Sequence, residues 1–248
     1  EATNLYRTLV ERNPAAYTPD LAMSLNNLAN HLNNNGQQRE ALTTAQEATN
    51  LYRTLVERNP AAYTPDLARS LNNLALRLAE HGRLDEALQT AHQATNLYKT
   101  LANQDPATYT PNLARSLNNL ALRLAEHGRL DEALQTAHQA TNLYKTLANQ
   151  DPATYTPNLA RFLKKLARLL CDAERTDEAL DAAREATALY RSFAHKRPSA
   201  FSRDLADALD TYANILERSG NTKEAARIRQ ERDEVLKRMK KMEEEGDA

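Results

Sequence analysis

The sequence predicts an all-α solenoid, a stack of antiparallel helix pairs with about eleven helices in total. The first observation is a period of 46 residues, because residues 69–114 are identical to residues 115–160, and residues 1–22 to residues 47–68. The second is that each period carries two apolar stripes with helical spacing. The third is that proline and glycine separate these stripes at constant phase. Such a unit cannot bury its apolar face alone and therefore stacks on its neighbours.

The first complete unit shows how helix A of each pair is specified. Thr18-Pro19-Asp20 predicts a helix start, because threonine is a good N-cap and proline is favoured in the first turn. A helix of about 16 residues follows from the apolar spacing. Gly36 ends this helix, because glycine readily adopts the left-handed conformation at a helix C-terminus. The stripe of helix A consists of Leu21, Ala22, Leu25, Leu28, Ala29 and Leu32.

Helix B is the longer member of the pair and begins near Gln38. It closes at Asn59-Pro60, because the residue before a proline is displaced from helical conformation. Five such pairs, preceded by a residual helix B at residues 1–12, give the eleven helices. In the fourth unit Glu174 replaces the turn glycine, and we expect that turn to be altered or strained by on the order of 1 kcal/mol.

We expect a single solenoid domain over residues 1–248, with a residual B helix and connector at 1–18. The last repeat, 203–248, ends in a highly charged helix that caps the array with a polar outer face. A dimer or partner-helix role for that helix is the alternative. The repeats between these segments are 19–64, 65–110, 111–156 and 157–202.

Composition excludes several classes of function. The net charge of −1 argues against a general nucleic-acid binder, which needs a strongly basic surface. No apolar run approaches the roughly 20 residues of a membrane span. Cys171 is the single cysteine, so no internal disulfide can form, and we expect a cytoplasmic location. The chain starts within a repeat, which suggests excision from a larger protein.

The motif Leu25-Asn26-Asn27-Leu28-Ala29, followed by Gly36 and Glu40-Ala41-Leu42, resembles a tetratricopeptide repeat (TPR). It is most similar to the extended LNNLA form found in kinesin light chains and bacterial signalling proteins, although the usual unit has only about 34 residues. The resemblance implies a right-handed superhelix whose A helices line a concave groove for an extended peptide or partner helix. It therefore implies a protein- or peptide-binding scaffold or sensor module within a larger, bacterial multidomain signalling protein.

Each LNNLA motif contains an asparagine pair that could serve this groove. Asparagine is a poor helix former, so a recurring pair suggests a compensating contact. A side-chain amide both donates and accepts, and can therefore bind a peptide backbone. The alternative is a bond between adjacent repeats, which is favoured for the first asparagine of each pair and equally weighted for the second. The candidate groove residues are Arg69, Asn73, Leu76, Arg115, Asn119, Leu122, Arg161, Lys165 and Arg168.

Basic residues become more frequent in this set toward the fourth unit, where Lys164 adds to them. They favour an acidic peptide or a C-terminal carboxylate as the partner. The alternative is a solvated face whose charge is balanced by Glu80, Glu126 and Asp172.

We expect no enzyme activity, no cofactor and no metal site. The histidines lack cysteine or carboxylate neighbours at ligand spacing, and no phosphate loop or nucleophile motif is present. The recurring connector aromatics, Tyr17 among them, are expected to pack. A competing hypothesis is an engineered or recently amplified structural array that has no ligand and self-assembles through its ends or its C-terminal helix.

Overall fold

In the computed structural model, which describes residues 2–246 with side chains up to residue 244, the chain forms α-helices and no strands. The prediction of an all-α solenoid with eleven helices is confirmed for these residues. The helices are α1 (Ala2–Arg12), α2 (Pro14–Asn34), α3 (Gln38–Arg58), α4 (Pro60–Glu80), α5 (Leu84–Gln104), α6 (Pro106–Glu126), α7 (Leu130–Gln150), α8 (Pro152–Asp172), α9 (Thr176–Lys196), α10 (Pro198–Arg218) and α11 (Thr222–Gly246).

The helices fall into two compact units, residues 1–129 and 130–248. In each unit every helix packs on the helix before it and the helix after it. Next-but-one contacts join α4 to α6 in the first unit and α8 to α10 in the second. This nearest-neighbour pattern is that of a repeat solenoid. None of the helices in the described residues is both long and apolar enough to cross a membrane.

Helix A begins earlier than the sequence suggested, and the predicted start at Thr18 is wrong. The second A helix starts at Pro60, and the Oδ1 of Asn59 accepts a hydrogen bond from the Ala62 N–H at 3.2 Å. Asparagine at the N-cap followed by proline is a strong start signal, and it outweighs the later proline. Pro65 therefore lies inside the helix. One residue, Asn59, separates helix B from the next helix A.

The A–B turns follow the prediction. Gly36 has φ +79°, and the Gln37 N–H donates to the Leu32 carbonyl at 2.8 Å. In the fourth pair Glu174 adopts the same left-handed conformation, with φ +59°. The turn is therefore kept and the residue is strained, as expected from its Cβ.

Alanines of helix B allow close helix contact. Ala41, Ala45 and Ala48 of α3 are fully buried. Bulkier side chains from α3 and α4 fill the space between repeats, with Tyr52 only 2% exposed. Tyr63, at the start of α4, packs on this cluster. Packing of the recurring aromatic is thereby confirmed at this position.

Candidate functional site

A buried polar ladder connects adjacent repeats of the first unit. The Thr95 hydroxyl of α5 donates to the Ala91 carbonyl at 2.9 Å and lies 3.0 Å from the Ser116 hydroxyl of α6. Ser116 in turn donates to the Oδ1 of Asn72 on α4, at 3.1 Å. One repeat earlier, the same arrangement joins Thr49, Ser70 and Asn26.

The first asparagine of each pair therefore has a structural role at Asn26 and Asn72, which is the alternative favoured for these positions. The serine and threonine partners were missed by the sequence analysis. Their signal was a hydroxyl residue at constant phase within an apolar stripe. In the fourth repeat Phe162 and Lys164 occupy the phases of the serine and the asparagine, so that sequence cannot supply this ladder.

The second asparagine of each pair faces a pocket of about 380 Å³ formed by α2, α4 and α6. We call it the amide pocket. Asn73 and Asn119 are half-buried, Asn27 is exposed, and none of the three forms a hydrogen bond within the described part of the chain. The pocket is lined by Met23, Asn26, Asn27, Asn30, Arg69, Asn72, Asn73, Arg115 and Asn119.

Asn26 adds an unsatisfied donor to this pocket. Its side chain is 4% exposed, its Oδ1 accepts from Ser70, and its Nδ2 has no partner in the described residues. A buried amide N–H without an acceptor costs free energy. This unsatisfied amide lies in the wall of the amide pocket.

The two arginines of the amide pocket differ in charge compensation. Arg69 forms an ion pair with Asp66 at 2.5 Å. Arg115 donates instead to the neutral Oδ1 of Asn112, at 3.0 Å, and it pairs with no carboxylate in the described residues. The asparagine that replaces aspartate in the duplicated period thus leaves a net positive charge at the α6 end of the pocket.

A buried phenol supports each of these arginines. Burial and the charge of Asp66 raise the pKa of Tyr52 to about 12, and Arg69 partly opposes this shift. Burial likewise raises the pKa of Tyr98, beside Arg115. Both phenols therefore remain neutral near pH 7, and neither compensates the charge of its neighbouring arginine.

The two predicted groove leucines lie outside the amide pocket. Leu76 on α4 is 40% exposed, and Leu122 on α6 is half-buried. Neither leucine lines the amide pocket. The residue at the same phase of the first repeat, Asn30, does line it.

The basic residues of the second unit are arranged differently. Lys164 is buried and forms an ion pair with Asp207 of α10. Arg168 pairs with the same carboxylate at 3.0 Å and donates to the Thr211 hydroxyl at 2.9 Å. Arg161 donates to the Asn158 Oδ1 at 2.9 Å, and Lys165 is half-buried with a partner of its own.

The acids named in the alternative of a charge-balanced face, Glu80, Glu126 and Asp172, pair with arginines outside the candidate set. Glu126 pairs with Arg123 at 2.9 Å, and Asp172 pairs with Arg218 at 3.6 Å. The balancing acid is Asp207, which the next A helix places beside Lys164. Burial raises the pKa of Asp207, but the hydrogen bonds and charges of Lys164 and Arg168 lower it by more. The pKa therefore lies below the ordinary value of an aspartate.

A larger pocket, of about 560 Å³, lies among α9, α10 and α11. Its walls combine apolar Leu205, Val235 and Met242 with the Arg191–Glu231 ion pair, whose atoms are 2.7 Å apart. It contains none of the candidate residues. No group of three or more metal-ligating side chains gathers within the described residues.

Comparison with known proteins identifies the repeat. The family model described as "Tetratricopeptide repeat" matches residues 21–61, 67–107 and 113–153. These three segments of the chain are tetratricopeptide repeats. TPR chains are repeat scaffolds that are typically not enzymes. No curated protein sequence matches this one.

Several solved TPR structures share the fold. BtubC (BKLC) from P. vanneervenii has a TM-score of 0.74 at 18% identity, covering 96% of this chain and 88% of its own. A putative kinesin light chain of Podospora anserina with nearly identical TPR-like repeats has a TM-score of 0.69 at 17% identity. The match covers 90% of this chain and 98% of the Podospora chain. The Rap conjugation gene regulator of plasmid pLS20, solved in complex with the Phr* peptide, has a TM-score of 0.59 at 13% identity. The match covers 86% of this chain and 52% of the Rap chain. This TPR chain therefore has the kinesin light chain type of fold.

Proposed function

We propose that this TPR chain is a peptide-binding scaffold module and that the amide pocket holds an extended segment of its partner. The observation that carries the proposal is that the two asparagines of a pair differ: the first is hydrogen-bonded between repeats, and the second lines the pocket. Asn72 is occupied by Ser116, whereas Asn73 and Asn119 have no partner within the described residues and line the pocket. Their amides can donate to and accept from successive peptide groups.

The partner segment is acidic. Arg115 contributes a positive charge without a carboxylate, and hydrogen bonds to a charged group are stronger than neutral ones. The Rap regulator, a protein of the same fold, was solved with a peptide, which supports peptide binding as the use of such a surface. The LNNLA form of the repeat supports a role as the recognition arm of a larger signalling protein.

Leu76, of the same unit, extends this surface in the proposal. Leu76 is exposed and offers apolar contact to ligand side chains. Arg161, Lys165 and Arg168 belong to the second unit and are proposed as a separate basic surface, on which Asp207 already compensates Arg168. Reversing Lys165 and Arg168 to glutamate should therefore weaken acidic-peptide binding less than Arg115→Glu does.

A displayed library of random short peptides, selected against the whole chain, tests the proposal. We expect acidic residues to be enriched among the selected peptides. Asn73→Ala combined with Asn119→Ala should weaken their binding about tenfold, or about 1.4 kcal/mol, since two hydrogen bonds are lost. Arg115→Gln should weaken it by at least about tenfold, since that bond is charged.

Matched controls lie on the exposed side of α5. Asn96→Ala and Lys99→Gln remove an amide and a positive charge away from the pocket and should leave affinity unchanged. Selected peptides that bind the asparagine double variant as tightly as the native chain would show that the amide pocket is not the peptide site.

A further inference from the structure

The amide pocket presents the same side chains at a regular interval along the first unit. Asn27, Asn73 and Asn119 occupy one phase of three successive A helices, and Arg69 and Arg115 occupy another. Adjacent A helices touch directly, as the bond from Ser116 on α6 to Asn72 on α4 shows. Helices in such contact lie about 8–10 Å apart. A ligand that crosses the A helices therefore meets equivalent groups at about this interval.

Two extended conformations of a peptide differ in how they match this interval. In a polyproline II helix, residues i, i+3 and i+6 project on the same side and repeat at about 9.3 Å. In a β-strand, same-side residues repeat at about 6.4–6.8 Å. The first spacing falls within the helix interval and the second does not. The backbone of a polyproline II segment also makes no internal hydrogen bonds, so its N–H and C=O groups are available to asparagine amides.

Charge selects the side chains that such a segment must carry. Arg115 has no carboxylate partner, and the Arg69–Asp66 pair is solvent-exposed, so it contributes little and is readily exchanged. At the α2 end, Asn26 and Asn27 line the pocket, and the exposed Asn27 amide forms no hydrogen bond in the described residues. The pocket is thus arranged for two carboxylates one helix interval apart and for carbonyl oxygens between and beyond them.

From this match we infer that the partner of the amide pocket is an acidic polyproline II segment with two carboxylate side chains three residues apart. Arg69 and Arg115 bind the carboxylates, and Asn73 and Asn119 bind the backbone. The inference rests on the proposed function, to which it adds the conformation and register of the ligand.

The test uses three fluorescein-labelled peptides of identical composition, made of proline, alanine and serine with two aspartates. The second aspartate follows the first at position i+2, i+3 or i+4, and the i+3 peptide has the three-residue spacing. We expect the three-residue spacing to bind the whole chain about fivefold more tightly than either isomer, because only this spacing reaches both arginines from one side of the helix. Fluorescence anisotropy gives the three dissociation constants.

A variant separates register from general charge attraction. With Arg69→Gln the preference for the three-residue spacing should fall below about twofold, while Arg53→Gln, an exposed arginine on α3, should preserve it. Circular dichroism confirms that both variants are folded. Equal affinities of the three isomers for the native chain overturn the register inference and leave peptide binding standing. A complete lack of binding by all three, together with no peptide from the library, overturns both.

Discussion

Removing the Ser116 hydroxyl should destabilise the first unit, although the change from serine to alanine deletes one atom. Ser116 is fully buried, and it links Thr95 of helix B to Asn72 of the preceding repeat. Alanine at this position leaves the Asn72 Oδ1 without its donor. Asn72 is itself 7% exposed, so water cannot easily replace the lost hydrogen bond.

The contacts of the ladder set the magnitude. Leaving one buried polar atom unsatisfied costs about 1–3 kcal/mol. The Thr95 hydroxyl retains its bond to the Ala91 carbonyl, so only the acceptor on Asn72 is lost. No large cavity forms, because alanine fills nearly the volume of serine. We therefore expect Ser116→Ala to lower the free energy of unfolding by about 1–2 kcal/mol.

Urea unfolding followed by far-UV circular dichroism measures this change, with Ser199→Ala, an exposed serine on α10, as the control. A double-mutant cycle with Asn72→Ala isolates the pair, and it should give a coupling of at least about 0.5 kcal/mol, since residues in one hydrogen-bond network are not additive. A loss below about 0.5 kcal/mol for Ser116→Ala, or strictly additive single losses, would refute the energetic role of the ladder.

Three further predictions follow from the packing, the turn and the charges. Leu117→Ala should cost about 2–5 kcal/mol in chemical denaturation, whereas Asn119→Ala, which breaks no internal bond, should change stability by less than about 1 kcal/mol; equal losses would contradict the assignment of faces. Glu174→Gly should raise the free energy of unfolding by up to about 1 kcal/mol, because glycine adopts the left-handed conformation of this position without strain, and a lower free energy of unfolding would exclude strain there. The pKa of Asp207 is lower in the folded chain than in the unfolded chain, so its carboxylate stabilises the fold at any pH above the unfolded-state pKa. The Asp207→Asn variant should therefore be less stable than the native chain at neutral pH. This difference should shrink as the pH falls below about 4 through the folded pKa, and a constant difference in pH-dependent urea unfolding would contradict it.

Much of the fold could be predicted because it depends on local patterns. The glycine turn at Gly36, the end of helix B before Pro60 and the strain at Glu174 follow from backbone conformational preferences that act within a few residues. The start of helix A could not be read as reliably. Two proline signals compete there, and the asparagine cap at Asn59 favours the earlier one.

The candidate site was predicted only in part, because its chemistry depends on contacts between repeats. Spacing placed Asn73 and Asn119 on one face, and the structure brings both into one pocket. Whether an asparagine is occupied or available could not be decided from its own helix, since the partner of Asn72 is Ser116, one repeat away. The same holds for Lys164, whose partner Asp207 lies in the next repeat.

The sequence by itself determined the repeat length, the helical class and the turn positions, because the 46-residue period and its apolar stripes express propensities that each unit carries alone. Only the tertiary structure decided which polar groups support the stack and which remain available to a ligand. Stacking aligns each A helix with its neighbour at a register that the one-dimensional pattern does not encode. That register occupies the first asparagine of a pair with a serine, leaves the second open to the amide pocket, and separates the compensated Arg69 from the uncompensated Arg115.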